Sequence, residues 1–426
     1  MPDLMPEPAP DTATEPGTKR RAAPKYPRSA QTAGASDDRK SADIAAAQGQ
    51  TATGSVGLSE YALVRAVLRN DAVRVIGLSV INGSAAATGR LKDPRHAPLA
   101  TLQGPAHQRK RAAIDPFFTA QAIEGQHHAA IAATTARLLG ELRENGRFAL
   151  DAATSTLATE LVAGIIGLDS ARGSSDRTAM ASRLDAIFDI TSQPTRLPLR
   201  RFSSGIRHRL RVLAFHWKDL LPAIRERRTH PRPDIISLLL SENTPVAAMR
   251  SECLAYAAAG IIPTREFITM AAWHLLESEE LRARFLSAKE EGQIAILEEI
   301  LRIEPVTSTL YREAEGIVPA ALSIRLQANV AYALDIRAAN VAPEAGACPF
   351  AINPEAKRKS GFVHLGFGDG PHRCPGAPVA LHAARVFIDG LLRVPGVRLE
   401  QEPEISWNAA REGYELRGAL VCCEPG

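Results

Sequence analysis

Phe367-Gly368-Asp369-Gly370-Pro371-His372-Arg373-Cys374-Pro375-Gly376 is the stretch around which the rest of the chain is arranged. One cysteine, Cys374, sits in a glycine-rich loop, and the Ala-, Leu- and Val-rich run behind it reads as a helix. Gly368 and Gly370 carry no Cβ, so the backbone there can turn sharply and approach a neighbour closely. Pro375 suits the first helical position, where its missing N–H is no loss. Cys374 is therefore expected just ahead of a helix N-terminus, where partly positive amides favour the thiolate. A free cysteine has a pKa of about 8.5, and only the ionised form binds metal.

Working outward, composition narrows the classes. The chain has 426 residues, enough for two average domains or one large single-core enzyme. A net charge of +4 over that length does not suggest a nucleic-acid binder, and no aromatic-plus-basic module is visible. The cysteines are Cys253, Cys348, Cys374, Cys422 and Cys423, an odd count without regular spacing. That argues for a reducing compartment, and a cytoplasmic protein is expected. No Cys-x-x-Cys pair or His-Glu-x-x-His run supports zinc. The longest apolar run, Leu254 to Pro263, is too short to span a bilayer, which takes roughly 18 residues.

Residues 1–54 are rich in Pro, Ala, Thr, Ser and Gly with few large apolar side chains, and are expected to form a disordered extension. Arg20, Arg21, Lys25 and Arg28 have transit-peptide character, but Asp3, Glu7, Asp11 and Glu15 oppose it. Order is expected over 55–426, beginning with an amphipathic helix through Tyr61, Leu63, Val64, Val67 and Leu68. Residues 80–105 read as a long loop. Core helices are expected through Ile131, Leu138, Leu139 and Leu142, and through Leu157, Leu161, Ile165 and Leu168. Two more fall in 178–230, around Gln193–Pro198, and the longest helical pattern covers 248–277. A further helix over 290–303 stops at Pro305.

The spacing Phe367, Gly368, Gly370, His372, Cys374, Gly376 resembles the haem-ligand loop of the cytochrome P450 family, with all six positions matched. Other stretches match in order. His107 and Arg111, at i and i+4, address one side of a helix and resemble the family's pair that binds a haem propionate. Glu299 and Arg302 resemble its structural Glu-x-x-Arg motif, whose third arginine is not obvious here, Arg358 fitting only if its loop shifts. Arg312 matches an arginine placed against a propionate, and His372 does the same from the cysteine loop. The resemblance implies a mainly α, prism-shaped fold with a small β region, and haem b as cofactor with Cys374 as iron ligand. It also implies that 80–105 borders a substrate cavity and that 193–198 is a mobile lid.

The long helix departs from the pattern. Ala259-Gly260-Ile261-Ile262-Pro263-Thr264 stands where the family has Ala/Gly-Gly-x-acid-Thr-Thr/Ser. Ala259 and Gly260 keep space above the iron, whereas Ile262 replaces the acid and Pro263 the first threonine. An interior proline removes one backbone hydrogen bond at a cost of about 3 kcal/mol or more, and frees the Ala259 carbonyl. Thr264 and Gly260 remain the candidate catalytic positions, with Thr264 about 100° further round than Pro263.

The resemblance implies a monooxygenase that inserts one oxygen atom from O2 into a small organic substrate. Electrons would come from NAD(P)H through a ferredoxin and its reductase, with Lys357, Arg358 and Lys359 as a landing site. The loss at 262 and 263 keeps alternatives open: substrate-assisted proton delivery, peroxide-driven oxidation, oxidative coupling or isomerisation. A non-catalytic haem sensor is a further alternative. No membrane or nucleic-acid partner is implied.

Overall fold

The computed structural model describes residues 37–42, 55–76, 96–169, 174–188, 198–314, 318–319, 325–408 and 412–424. The lid segment 193–197, and most of the loop expected over 80–105, lie outside these residues.

Apolar spacing decides most of the helices. The run Tyr61–Leu68 is a helix that buries Tyr61, Leu63, Val64, Val67 and Leu68, the five residues that define its stripe. Helices His128–Asn145 and Leu150–Ile166 bury Ile131, Leu138, Leu139, Leu142, Leu157, Leu161 and Ile165 in the main core. Each ends on a glycine in the left-handed region, Gly146 and Gly167, which accept that conformation without a Cβ clash. Leu168 is buried just past the second of these helices. Near the middle of the chain come helices Ser174–Phe188, Pro198–Phe215 and Leu221–Thr229.

Val246–Glu277 is a single helix of 32 residues, and Pro263 lies inside it. It crosses the molecule beside Leu150–Ile166, with Thr154 and Thr269 sharing a hydrogen bond of 2.8 Å between their hydroxyls. Sequence periodicity alone is weak here because nearly every face is covered. A helix apolar all round is a buried one.

The β region is small. A four-stranded sheet joins Val56–Leu58, Ala331–Asp335, Thr309–Ala314 and Val73–Ile76 in that spatial order, with only the first pairing parallel. Thr309–Ala314 is thus an inner strand, and Arg312 sits opposite both Val75 and Tyr332.

Two expectations need correction. Within the segment expected to be disordered, residues 37–42 are docked. Ser41 is buried, its backbone N–H and hydroxyl donate to Glu304, and Arg337 Nη2 donates to the Ser41 carbonyl at 2.7 Å. Composition could not reveal this, because the anchoring groups are polar and lie far along the chain. Second, the helix behind the cysteine runs Ala377–Leu392 with Gly376 as its N-cap. Pro378, not Pro375, is the proline of its first turn. Pro375 lies outside it.

The Glu299–Arg302 pair is buried on helix Glu290–Ile303, and Arg302 also donates to the carbonyls of Asn340, Pro349 and Ala351 at 3.1, 2.6 and 2.9 Å. Glu299 in turn receives Arg358 Nη2 at 2.6 Å. Arg358 is the third arginine, so the loop does bring it into place. It is therefore not a free part of a docking surface, whereas Lys359 keeps a 72% exposed side chain.

Truncating one member of such a network leaves a buried charge without its counterion, at about 3–5 kcal/mol. Arg302→Ala is expected to lower stability by that amount in a denaturant titration of the haem-free chain. Arg302→Lys is expected to recover little, since a lysine cannot serve both carboxylate oxygens and three carbonyls.

Candidate active site

The cysteine loop is closed by its own backbone. Cys374 N–H donates to the Phe367 carbonyl at 2.9 Å, Gly368 N–H to Leu365 at 2.8 Å, and Arg373 N–H to Gly370 at 3.0 Å. Gly368 and Gly370 both have φ of 70°, where an L side chain is strained. At Gly370 there is also no room, since a Cβ would stand 2.6 Å from the Leu68 carbonyl oxygen. The close approach anticipated at this glycine is to the first helix of the chain. Arg65 of that helix pairs with Asp369 at 2.8 Å and reaches the Gly361 carbonyl at 2.6 Å.

Cys374 is exposed and lines a cleft together with Arg111 and Arg373. Burial pushes the thiol pKa up, and the amides of Gly376 and Ala377 with the Arg111 and Arg373 guanidiniums pull it down less strongly. The helix-end amides act on the sulfur as expected, but burial outweighs them: the expectation that placement alone gives a thiolate is corrected. Ionisation requires a further positive partner at the sulfur.

His107, on helix Gly104–Ile114, and His372 lie ring against ring with centroids 4.1 Å apart. Burial and the charges of His107, Arg312 and Arg111 hold the His372 pKa down at about 3. Burial and Arg111 lower that of His107. Arg312 is 4% exposed, and burial alone brings its pKa down to about 10. Its guanidinium donates to the Tyr311 carbonyl at 2.9 Å, and no carboxylate meets it among the described residues. Arg111 differs. It pairs with Asp115 at 2.5 Å and donates to the Arg373 carbonyl at 2.6 Å, so it clamps the cysteine loop while facing the same cluster.

These residues fit haem. A buried guanidinium that meets no carboxylate among the described residues, with one buried and one half-buried imidazole whose pKa values are held down, forms a cluster short of negative charge, and carboxylates with charge-assisted hydrogen bonds satisfy such a cluster. Among the described residues no group of three or more His, Cys, Asp or Glu side chains can hold a bare metal ion. A single cysteine suits an iron whose other ligands come with its own macrocycle.

On the long helix the buried run is interrupted along one stripe, where Ala259 is exposed and Tyr256, Gly260 and Pro263 are half-buried. An exposed alanine midway along an otherwise buried helix marks open space beside it. Pro263 supplies no N–H, so the Ala259 carbonyl on that stripe lacks its helical donor. Gly260 is small for a different reason than expected. A Cβ there would stand 2.7 Å from Val162 Cγ2 of helix Leu150–Ile166, so the glycine lets two helices approach. Thr264 is buried at 8% exposure, off the open stripe. Glu266 is engaged elsewhere, receiving the Leu416 N–H and Arg417 Nη1 at 2.8 Å each. Sequence reasoning missed two polar residues near this stripe, Glu252 and Tyr256. Their signal was spacing, since they precede Ala259 and Pro263 at helical intervals.

Replacing Arg312 with leucine separates the two roles of that side chain. The variant is expected to make the haem-free protein no less stable, and up to about 4 kcal/mol more stable, because an unpaired buried charge is removed. Haem retention is expected to fall, measured by transfer to an apo-globin acceptor.

No family model matches the chain. Curated relatives include pulcherriminic acid synthase of Bacillus subtilis (strain 168), 26% identical over 338 residues, covering 76% of this chain and 79% of that one. Cyclomarin C epoxidase CymV of Salinispora arenicola (strain CNS-205) is 27% identical over 304 residues, 69% and 72% of the two chains. Among solved structures, substrate-free CYP109E1 from Bacillus megaterium superposes with a TM-score of 0.71 at 21% identity, covering 89% of this chain and 95% of that one. P450BioI in complex with a hexadec-9Z-enoic acid ligated acyl carrier protein gives 0.69 at 22% identity, with 86% and 92% covered. With the cysteine loop, the donor cluster and the fold in agreement, the chain has the fold of the cytochrome P450s and is similar to them over most of its length, which supports an oxidoreductase of P450 type whose cofactor is haem.

Proposed function

We propose that the protein is a haem-thiolate monooxygenase, inserting one oxygen atom from O2 into a small organic substrate with electrons from NAD(P)H. The observation that carries this reading is the cluster of His107, His372 and Arg312 around the cysteine loop, linked to Cys374 through Arg111, with the buried Arg312 guanidinium meeting no carboxylate among the described residues. Cys374 would ligate the iron, and His107, His372 and Arg312, helped by Arg111, would hold the two propionates. Haem bound in this way supplies O–O bond cleavage, favoured by electron density from the thiolate. Phe367, Gly368 and Gly376 shape the loop that presents the sulfur, with Gly376 capping the helix behind it.

A ferredoxin with its reductase is the proposed electron donor. A cleft of about 700 Å³ opens beside the cysteine loop, lined by Arg111, Arg373 and Arg385 but also by Glu124, Glu290 and Glu298, so an electron donor would meet mixed charge there. No described helix is long and apolar enough to cross a membrane, and the five cysteines are free, in keeping with a reducing cytoplasm. The substrate class stays at a small molecule. The acyl carrier protein seen with P450BioI makes carrier-bound acyl groups a rational first set for a binding screen.

Ile262 and Pro263 favour a second reading, in which the reaction departs from simple hydroxylation or borrows protons from the substrate. Neither side chain can give or pass a proton, and Thr264 is buried off the open stripe. Two measurements separate the readings. Under the monooxygenase reading, turnover with NADPH, ferredoxin and reductase exceeds turnover with hydrogen peroxide; the reverse order favours peroxide-driven chemistry. Pro263→Thr restores both a hydroxyl and the backbone donor. It is expected to change the ratio of product formed to NADPH consumed, and an unchanged ratio and product pattern would remove any special role for Pro263.

A further inference from the structure

Glu252 lies at 2% exposure on the long helix. Its carboxylate receives Lys110 Nζ at 2.6 Å and the Leu99 N–H at 3.4 Å. Lys110, on the helix that carries His107 and Arg111, also donates to the Ala97 carbonyl at 2.8 Å and keeps a side chain 15% exposed. Burying a carboxylate without need is costly, even when it is paired.

The surroundings give it a route outward and a route inward. Outward, Glu252 and Lys110 line a pocket of about 470 Å³ together with His96 and Arg109. The pocket is polar enough to hold water, which needs two to four hydrogen-bonding partners. Inward, Tyr256 follows Glu252 by four residues. Its hydroxyl oxygen is buried and makes no hydrogen bond of acceptable geometry, although Glu252 is close enough to act on it. Arg111, from the donor cluster, also acts on this hydroxyl. Glu252, Tyr256, Ala259 and Pro263 stand at i, i+4, i+7 and i+11, which places them along one face of the helix. That face ends at the exposed Ala259 and its donorless carbonyl.

We propose that Glu252 and Tyr256 form a proton inlet to the distal side of the haem space, in place of the acid and hydroxyl missing at Ile262 and Pro263. This rests on the haem-thiolate reading. A proton relayed from bulk solvent through water in the outer pocket neutralises Glu252, whose proton then passes to the Tyr256 oxygen as the tyrosine gives up its own proton inward. One proton enters from bulk for each one delivered, so charge balances. Lys110 is a positioning residue that holds the carboxylate between the pocket and the tyrosine. The tyrosine hydroxyl lies beside that carboxylate, within reach of its proton.

The test uses the haem-loaded full chain and three variants, Tyr256→Phe, Glu252→Gln and Glu252→Asp. Each is first checked for thiolate ligation by its ferrous carbon monoxide spectrum. Absence of that spectrum in the wild type overturns the haem-thiolate reading itself, and the inlet with it. With ligation intact, NADPH oxidation is measured with a surrogate ferredoxin and reductase in H2O and D2O. Tyr256→Phe and Glu252→Gln are expected to slow it at least about tenfold and change the solvent isotope effect, with partial rescue by Glu252→Asp. The second readout requires no turnover. In infrared difference spectra at mildly acidic pH, a carboxyl band absent from Glu252→Gln is expected to shift in D2O and in Tyr256→Phe. If Tyr256→Phe leaves rate, isotope effect and band as in the wild type, Glu252 is only a brace between two helices and the proposal fails. Should Glu252→Gln not fold, the tyrosine variant decides alone.

Discussion

Cys374 is held from three separate parts of the chain, and the rest of the site takes its geometry from that restraint. Its own loop closes by the bond from Cys374 N–H to the Phe367 carbonyl. Arg65, from the first helix, fixes Asp369, while Arg111 fixes the Arg373 carbonyl from the other side. Behind the loop, Glu299, Arg302 and Arg358 tie the preceding segment to a buried helix. Together these contacts set a single sulfur at a defined place.

Charge explains why such a site accepts haem. His107 and Arg312 are buried and His372 is half-buried, each with its pKa pressed down; Asp71 and Asp115 offset the burial of His107 only in part, and Arg312 meets no carboxylate among the described residues. The folded chain keeps this imbalance because elements that are stable for other reasons deliver the donors. Arg312 comes from an inner strand, His107 from a helix and His372 from the braced loop. The cysteine shows the same tension. Burial pushes its thiol pKa up against the pull of the Gly376 and Ala377 amides and of Arg111 and Arg373.

Much of this could be read from the residues. The ten-residue loop gave the ligand and the family, and helical spacing gave the cores of the first, third and fourth helical stretches. What escaped had physical reasons. Arg358 completes the Glu299 network only because its loop curls back, and loop paths leave no periodic trace. Residues 37–42 dock through polar anchors on Glu304 and Arg337, which composition scores as disorder. Gly260 looked like space above a cofactor, but the contact with Val162 shows a helix-packing glycine. Glu252 and Tyr256 were hidden inside an apolar run, where only their spacing to Ala259 and Pro263 singles them out.

The distal face therefore differs from the family pattern while the proximal face keeps it. Ile262 and Pro263 remove proton-carrying groups where relatives have them, and a tyrosine and a carboxylate stand two and three turns earlier on the same face. All of this presupposes that Cys374 binds haem iron as a thiolate. The absorption spectrum of the reduced protein under carbon monoxide tests that most directly. The account predicts the red-shifted Soret band of thiolate ligation, lost in Cys374→Ala; an imidazole-type band in the intact protein would contradict it.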